Sequence, residues 1–364
     1  MNIFVRIIKK ILPKGGFYRP KLLTVLLVSV GLNVAFGIAF YFAERHLQEG
    51  LTLTDAIWWA MVTMTTVGYG DIYAQTAVGR FLISYPCMVI GIGIIGYLVG
   101  IVAESVLESI SRQKKGLKAI TMKDHIIICN CPQVEKVVRL VDELSYDPTG
   151  KDRQFVLITE RFEELPEALH HANIKFVKGD PTKEDVLQRA NILKCAGVFV
   201  LAENPSDVAS DHKTFAIGTI IEMIEKEHQV PIKTVVELVT KENLKMMQRT
   251  HVDGIVSVDG IINCLMVQEF LDPGIHDVVH ELISNKTGSE FYTLTTRLTG
   301  FTVGDIQKAT CDAPQNVQLI GVIRHGEHLL NPEKQFKIED GDRLVILAPQ
   351  RTDFERIEQK MLGY

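Results

Sequence analysis

The sequence predicts an α-helical two-span membrane module, then an α/β doubly wound (Rossmann-like) domain, then a small α/β C-terminal lobe. Three observations predict this architecture. Two long apolar stretches lie in the first third of the chain, short apolar strands alternate with amphipathic helices in the middle, and alternating strands with turn sequences occupy the end. With 364 residues, the chain is too long for one ordinary domain. Its net charge of −5 therefore has to be considered region by region.

The two apolar stretches, residues 22–43 and 79–104, are long enough to cross a membrane as helices. Basic residues without acidic ones occupy residues 1–21, and a second basic group follows the second stretch in a linker at residues 111–123. The link between the stretches carries mostly Glu and Asp. By the positive-inside rule, we expect a multi-pass protein of the cell membrane with both termini in the cytoplasm.

Residues 51–71, between the two stretches, predict a re-entrant helix followed by irregular backbone. The part from Leu51 to Thr65 is apolar but too short to span a bilayer. Thr52 and Asp55 have the spacing of a helix N-terminal capping box. Irregular backbone at membrane depth is stable only where it is buried in protein or lines a wet cavity. Residues 22–110 are therefore expected to form one module around such a cavity.

The segment after this helix can form an ion-binding backbone. Gly68 and Gly70 can adopt backbone angles that are closed to other residues, and alternating such angles with ordinary ones turns successive carbonyls toward one axis. Several chains would then form stacked rings of carbonyl oxygens that replace the water shell of a dehydrated cation, with the Thr66 hydroxyl as the innermost ring. A re-entrant helix pointing toward the cytoplasm adds the negative end of its dipole.

The sequence from Thr66 to Gly70 is identical to the established filter motif of potassium channels, and the arrangement resembles the pore module of two-transmembrane potassium channels. The resemblance implies a homotetramer that conducts K⁺. It also implies that the ion contacts the backbone carbonyls of Thr66, Val67, Gly68 and Tyr69.

Gly91 and Gly96 in the second span have two interpretations. In the resembled channels, a glycine at the place of Gly91 acts as a gating hinge, and Gly96 would face the narrow intracellular part of the pore. The alternative is that these small residues allow close helix packing.

Residues 124–242 predict a parallel doubly wound sheet, because short apolar strands are separated by helices. The predicted strands are His125–Asn130, Phe155–Thr159, Ile174–Val177, Val198–Leu201, Thr234–Leu238 and Ile255–Val258. Following a pore module, this domain resembles the regulator-of-K⁺-conductance (RCK) domain of prokaryotic ligand-gated channels. Gly179 and Asp180 match the loop after its third strand, and Glu160 stands where relatives place an acid that holds a ribose.

Two effectors are candidates by resemblance, Ca²⁺ and an adenine nucleotide. The expected Gly-x-Gly-x-x-Gly is replaced by a segment that begins Asn130-Cys131-Pro132, which argues against a dinucleotide in the usual pose. Of the three acidic positions in calcium-gated relatives, only Glu237 is retained here, and one carboxylate does not make a calcium site. Glu203, Asp207 and Asp211 are alternative calcium ligands or solvated loop charges.

The segment 243–286 is predicted to be a helix–turn–helix that pairs two RCK domains, broken at Asp272-Pro273-Gly274. Residues 287–364 are predicted to form the small C-terminal lobe. By resemblance, additional RCK fragments can complete an octameric gating ring, and no nucleic-acid partner is expected. The alternatives to a ligand-gated channel are a subunit of a potassium uptake transporter and a membrane-tethered dehydrogenase. The single intact filter disfavours the first, and the altered glycine fingerprint disfavours the second.

Overall fold

The computed structural model describes residues 18–147, 150–257, 259–286 and 288–363. These residues form two compact units that divide between Lys114 and Lys115. The predicted N-terminal segment 1–21 lies almost wholly outside the described residues, as does Val258 at the end of the sixth predicted strand.

The first unit is helical. It contains α1 (Tyr18–Glu44), α2 (Leu53–Met64), a π-helical segment (Gly79–Ser84) and α3 (Tyr85–Lys114), which continues directly from the π-helical segment. By length and composition, Leu22–Glu44 and Gly79–Lys114 can each cross a membrane. The predicted two-span helical module is therefore confirmed.

Helix α2 begins as the sequence predicts and packs against α1. Thr52 accepts a hydrogen bond from the backbone N–H of Asp55, and Asp55 accepts one from the backbone N–H of Thr52, which completes the capping box. Phe40 of α1 stacks on Trp59 of α2 with ring centroids 3.7 Å apart. This contact holds the short helix against the long one.

The second unit contains a six-stranded parallel sheet in the order β3-β2-β1-β4-β5-β6. This is a doubly wound order with its switch point between β1 and β4, and it confirms the predicted fold class. The strands are β1 (His125–Cys129), β2 (Phe155–Thr159), β3 (Ile174–Lys178), β4 (Cys195–Val200), β5 (Thr234–Leu238) and β6 (Gly254–Ser257). The central strands β1 and β2 are buried throughout because helices cover both faces of the sheet.

The helices of this sheet domain are α4 (Val134–Tyr146), α5 (Glu167–His171), α6 (Glu184–Arg189), α7 (Ser210–His228) and α8 (Leu244–Gln248), with 3₁₀ turns at Ile192–Lys194 and Lys241–Asn243. The predicted break at residues 272–274 separates α9 (Ile261–Leu271) from α10 (Ile275–Ile283). Strand β6 lies before this helix pair and within the segment 243–286.

The C-terminal lobe is a four-stranded antiparallel sheet in the order β7-β10-β8-β9, with two helices. Its elements are β7 (Glu290–Thr295), α11 (Val303–Asp312), β8 (Gln318–Arg324), β9 (Glu327–Leu330), β10 (Arg343–Ala348) and α12 (Thr352–Met361). Strand β9 and helix α12 were not predicted. The guanidinium of Arg324 makes two hydrogen bonds to the buried carboxylate of Asp342, at 2.9 and 2.7 Å. This pair joins β8 to the turn before β10, and it lowers the pKa of Asp342.

Candidate functional site

The backbone after α2 alternates in handedness. Thr66, Gly68 and Gly70 have φ angles of 63°, 55° and 76°, whereas Val67 and Tyr69 do not have positive φ. The expected positive angles of the two glycines are present, and Thr66 adds a third that the sequence did not suggest. A positive φ is unusual for threonine, and backbone strain of this kind is found at functional sites. Successive carbonyls can thereby be directed to one side.

An aromatic side chain of α2 supports this segment. The indole N–H of Trp58 donates a hydrogen bond to the Asp71 carboxylate at 3.0 Å. The Trp58 ring also lies parallel to the Tyr69 ring, with centroids 5.9 Å apart. These two contacts attach Tyr69 and the residue that follows the segment, Asp71, to the short helix.

A buried carboxylate holds the loop that leads back into the membrane. Glu44, the last residue of α1, is fully buried and accepts hydrogen bonds from the N–H groups of Gln75 and Thr76 and from the Thr76 hydroxyl. Gln48 extends the anchor by donating to the Tyr73 carbonyl at 2.8 Å. Glu44 is not among the predicted site residues, although an acidic residue at the end of an apolar span was the available signal.

The two candidate hinge glycines have different surroundings. A methyl group on Gly91 would lie 2.5 Å from the carbonyl oxygen of Met64, the last residue of α2. A methyl group on Gly96 would have no described residue of this chain within 4 Å. Helix α3 runs through both positions without interruption. Close packing at Gly91 therefore brings α3 directly against the base of the filter segment.

In the second unit, the crevice at the switch point of the parallel sheet is occupied by the chain itself. The Asn130 side chain, just after β1, donates to the Leu201 carbonyl, just after β4, at 2.9 Å. The Arg161 guanidinium donates to the carbonyls of Cys131 and Pro132. These groups stand where a dinucleotide pyrophosphate binds in doubly wound folds, which agrees with the altered glycine fingerprint.

The three residues considered for nucleotide binding lie near the carboxyl ends of β2 and β3. Glu160 is exposed. A side chain on Gly179 would collide with Val186 of α6, at 2.7 Å. Asp180 accepts a hydrogen bond from the Thr182 N–H at 3.0 Å, and its pKa is lowered despite partial burial. Gly179 and Asp180 thus shape the turn into α6.

The residues considered for calcium are engaged with their own chain. One Glu237 oxygen pairs with the Lys136 ammonium, and the other accepts from the Ala202 N–H at 3.0 Å. Asp211 is fully buried and accepts from Val239, Thr240 and Asn243.

The other two loop acids are also engaged. Glu203 pairs with Lys213 at 2.7 Å, and Asp207 accepts from the Ala209 N–H. Across the described ranges, no three His, Cys, Asp or Glu side chains are grouped so that they could hold a metal ion.

The predicted linker, residues 111–123, is divided between two elements. Residues 111–114 belong to α3. From Gly116 onward, the chain is hydrogen-bonded to the sheet domain. The first of these bonds is donated by the Lys178 N–H to the Gly116 carbonyl, at 3.0 Å. The Ile120 N–H donates to the Arg189 carbonyl at 2.8 Å, and the Asn191 side chain donates to the Met122 carbonyl at 2.6 Å.

Comparisons with known proteins match both parts of the chain. A family model described as an ion channel matches residues 24–108. A model of the calcium-activated potassium channel slowpoke-like RCK domain matches residues 121–235. The chain is 27% identical over 340 residues to the calcium-gated potassium channel TvoK of Thermoplasma volcanium, with 91% of each protein covered.

A second relative is the probable potassium channel protein 2 of Methanocaldococcus jannaschii. It is 26% identical over 348 residues, which cover 91% of this chain and 94% of that protein. Among solved structures, the human SLO3 gating ring has a similar fold, with a TM-score of 0.51 and 16% sequence identity. That match covers 65% of this chain, which spans 45% of the SLO3 chain.

These relatives are named as channels, not as dehydrogenases or uptake transporters, and the two prokaryotic ones match the chain almost from end to end. The pore-like helical unit and the doubly wound sheet follow one another in the expected order. The chain is therefore a ligand-gated potassium channel subunit that combines a two-helix ion-channel unit with an RCK domain.

Proposed function

We propose that four copies of this chain form one pore whose selectivity filter is the segment Thr66 to Gly70. In this pore, K⁺ loses its water shell to the backbone carbonyls of Thr66, Val67, Gly68 and Tyr69 and to the Thr66 hydroxyl. The observation that carries the proposal is the alternating backbone, with positive φ at Thr66, Gly68 and Gly70 only. One chain supplies one wall of carbonyls, so a closed ring needs several chains around an axis.

Helix α2 supports ion binding by its direction along the chain. Its last residue, Met64, leads directly into the filter, so the negative end of its dipole lies beside the filter base. With the basic residues at the end of α3 in the cytoplasm, both termini are cytoplasmic and the loop from Asp71 to Val78 faces outward.

The RCK domain couples ligand binding to the pore through the bound linker. Because residues 116–124 are hydrogen-bonded to the sheet domain, a movement of β3 and α6 moves the chain up to Gly116 with it. A single residue, Lys115, separates the end of α3 from Gly116. A ligand can open or close the pore only to the extent that it binds two arrangements of these domains with different affinities.

An apolar surface on α9 and α10 supports pairing between RCK domains. The exposed side chains include Ile262, Met266, Phe270 and Val278, and Phe270 is 85% exposed in the single chain. A surface of this kind indicates a protein interface. We propose that it joins two RCK domains in a gating ring, which has eight domains if separate RCK fragments contribute.

Of the two effector classes, we favour an adenine nucleotide because the carboxylates considered for Ca²⁺ are already engaged within the chain. Both oxygens of Glu237 are already bound, and Asp211 is satisfied by backbone and amide donors. A calcium site needs six to eight oxygen ligands. The effector is therefore expected to be recognised by hydrogen bonds and charge rather than through a chelated ion.

The test is recording from the full-length protein in planar bilayers. With K⁺ on one side and Na⁺ on the other, the reversal potential should show strong selectivity for K⁺. Equal permeabilities would contradict the filter assignment. Ca²⁺, ADP and NAD applied in turn to the cytoplasmic side then distinguish the effector classes, and activation by Ca²⁺ alone would contradict the preference for a nucleotide.

A further inference from the structure

A groove between the C-terminal lobe and the start of β5 carries an excess of positive charge. It encloses about 490 Å³ and is lined by β7, β10 and α12, together with Lys233 from the loop before β5. Small-molecule sites commonly have volumes of about 300–1,000 Å³. We propose that this groove binds the diphosphate group of a nucleoside diphosphate. Binding at this groove does not depend on the proposed channel function. Only an effect of that binding on channel opening rests on it.

Four elements bring the cations together. Arg343 is the first residue of β10 and pairs with Thr295 of β7 in the antiparallel register. Arg297 follows the end of β7, and Arg351 immediately precedes α12. Lys233 immediately precedes β5 in the other sheet. The groove therefore joins the two sheets of the second unit.

The acidic residues of the groove do not neutralise these cations. Glu358 is buried, and its Oε1 accepts the Thr296 hydroxyl at 2.7 Å and the Arg297 N–H at 2.9 Å. Its other oxygen lies 3.6 Å from the Arg297 guanidinium. Among the described residues, Glu355 is the other acidic residue in the lining. Four cations therefore face two carboxylates, one of which is held inside the lobe.

Among the described residues, three of the four cations have no ion-pair partner. Within the part of the chain that the structure describes, Lys233, Arg343 and Arg351 make no salt bridge. Arg351 lies over the ring of Tyr292, with its guanidinium carbon 5.9 Å from the centroid. Like charges around one cavity repel one another, and a bound anion would remove that repulsion.

The chemistry of the donors favours a diphosphate over a single carboxylate. Arginine presents a planar fork that binds phosphate oxygens in pairs, and three such forks exceed what one carboxylate can accept. Thr293 and Thr295 add hydroxyl groups to the lining, and the volume leaves room for a nucleoside. Because Lys233 and the arginines belong to different sheets, the bound group would hold the C-terminal lobe against the parallel sheet.

The experiment is isothermal titration of the purified full-length channel with inorganic pyrophosphate, ADP and AMP. Pyrophosphate and ADP should bind, and AMP should bind at least ~10-fold more weakly because it lacks the second phosphate. Tighter binding of ADP than of pyrophosphate would add a contribution from the nucleoside. Failure of both pyrophosphate and ADP to bind at about 1 mM, or AMP binding as tightly as ADP, would overturn the proposal.

Two double variants locate the site. Arg343→Gln with Arg351→Gln should weaken pyrophosphate binding at least ~10-fold, because two charge-assisted contacts are lost. Arg356→Gln with Lys360→Gln removes the same charge from α12 outside the groove and should leave the affinity within about twofold. Equal weakening by the two pairs would overturn the assignment. Both variants should still conduct K⁺ selectively, so a failure of this site is separable from a failure of the filter.

Discussion

The buried carboxylate of Glu44 accepts the hydroxyl of Thr76 at 2.6 Å. The same carboxylate accepts the backbone N–H groups of Gln75 and Thr76 at 2.9 and 3.0 Å. One side chain at the end of the first span thus fixes the loop that enters the second span. Polar groups of this loop have to be satisfied by protein wherever water is excluded.

Glu44→Ala should destabilise the pore assembly by roughly 2–4 kcal/mol, because it leaves the N–H groups of Gln75 and Thr76 and the Thr76 hydroxyl without this acceptor. The measurement is the temperature at which the detergent-solubilised oligomer dissociates. Glu49→Ala, which removes an exposed acid from the turn between α1 and α2, is the control and should change stability by less than ~0.5 kcal/mol. Equal stability of the two variants would show that the Glu44 contacts are dispensable.

Trp58 and Asp71 should be energetically coupled. Trp58→Phe and Asp71→Asn each weaken or remove the 3.0 Å hydrogen bond, whereas phenylalanine keeps an aromatic ring beside Tyr69. We expect a coupling energy of about 0.5–3 kcal/mol in a double-mutant cycle on oligomer stability. Additive effects of the two substitutions would mean that the hydrogen bond does not support the filter.

Gly91→Ala distinguishes close packing from a hinge. The added methyl would lie 2.5 Å from the Met64 carbonyl oxygen, so α2 or α3 has to shift at the filter base, at a cost of about 1–3 kcal/mol. Packing predicts reduced single-channel conductance and lower oligomer stability. Gly93→Ala, whose added methyl has no described atom of the chain within 4 Å, should have neither effect. Unchanged conductance with altered open probability in Gly91→Ala would support the hinge instead.

Asn191→Gly tests the attachment of the linker. Asn191 has a φ of 58°, which glycine tolerates, so the substitution removes only the hydrogen bond to the Met122 carbonyl. Amide hydrogen exchange over residues 117–123 should become roughly 10-fold faster, the effect of losing about 1.4 kcal/mol. Single-channel conductance should not change. Asn173→Gly, at an exposed position with a φ of 55°, is the matched control.

Lowering the pH should destabilise the sheet domain because of His125. Its Nε2–H donates to the Ala190 carbonyl at 2.8 Å, and its buried Nδ1 has no hydrogen-bond partner among the described residues. Burial lowers the pKa of the ring below its ordinary 6.5. The unfolded chain then binds a proton more readily than the folded domain. Stability is complete above about pH 6.5 and falls as the pH drops below that value.

The measurement is hydrogen exchange of the β1 segment between about pH 7.5 and 5.5, corrected for the intrinsic pH dependence of exchange. His170→Asn, at an exposed position, should leave the loss of protection unchanged. His125→Asn should flatten it. Persistence of the same pH dependence in His125→Asn would assign the effect to another group.

Local patterns were sufficient to predict most elements. Periodicity and apolar length predicted both spans, the short helix and all six parallel strands, because each of these depends on residues close in sequence. Strand β9 was missed because only four residues, Glu327–Leu330, form it beside a turn. Helix α12 was missed because its apolar side is carried mainly by Phe354 and Ile357 within a charged sequence.

The sequence by itself determined the ion-channel class of this protein, since the filter motif, its flanking spans and the order of the domains are all local properties of the chain. Only the tertiary structure decided which polar groups meet. Glu44 accepts a hydrogen bond from Thr76, Asn130 donates one to the Leu201 carbonyl across the switch point, and Glu237 forms an ion pair with Lys136. The partners in these pairs lie 32, 71 and 101 residues apart along the chain. Such contacts depend on how helices and sheets pack, which periodicity does not specify.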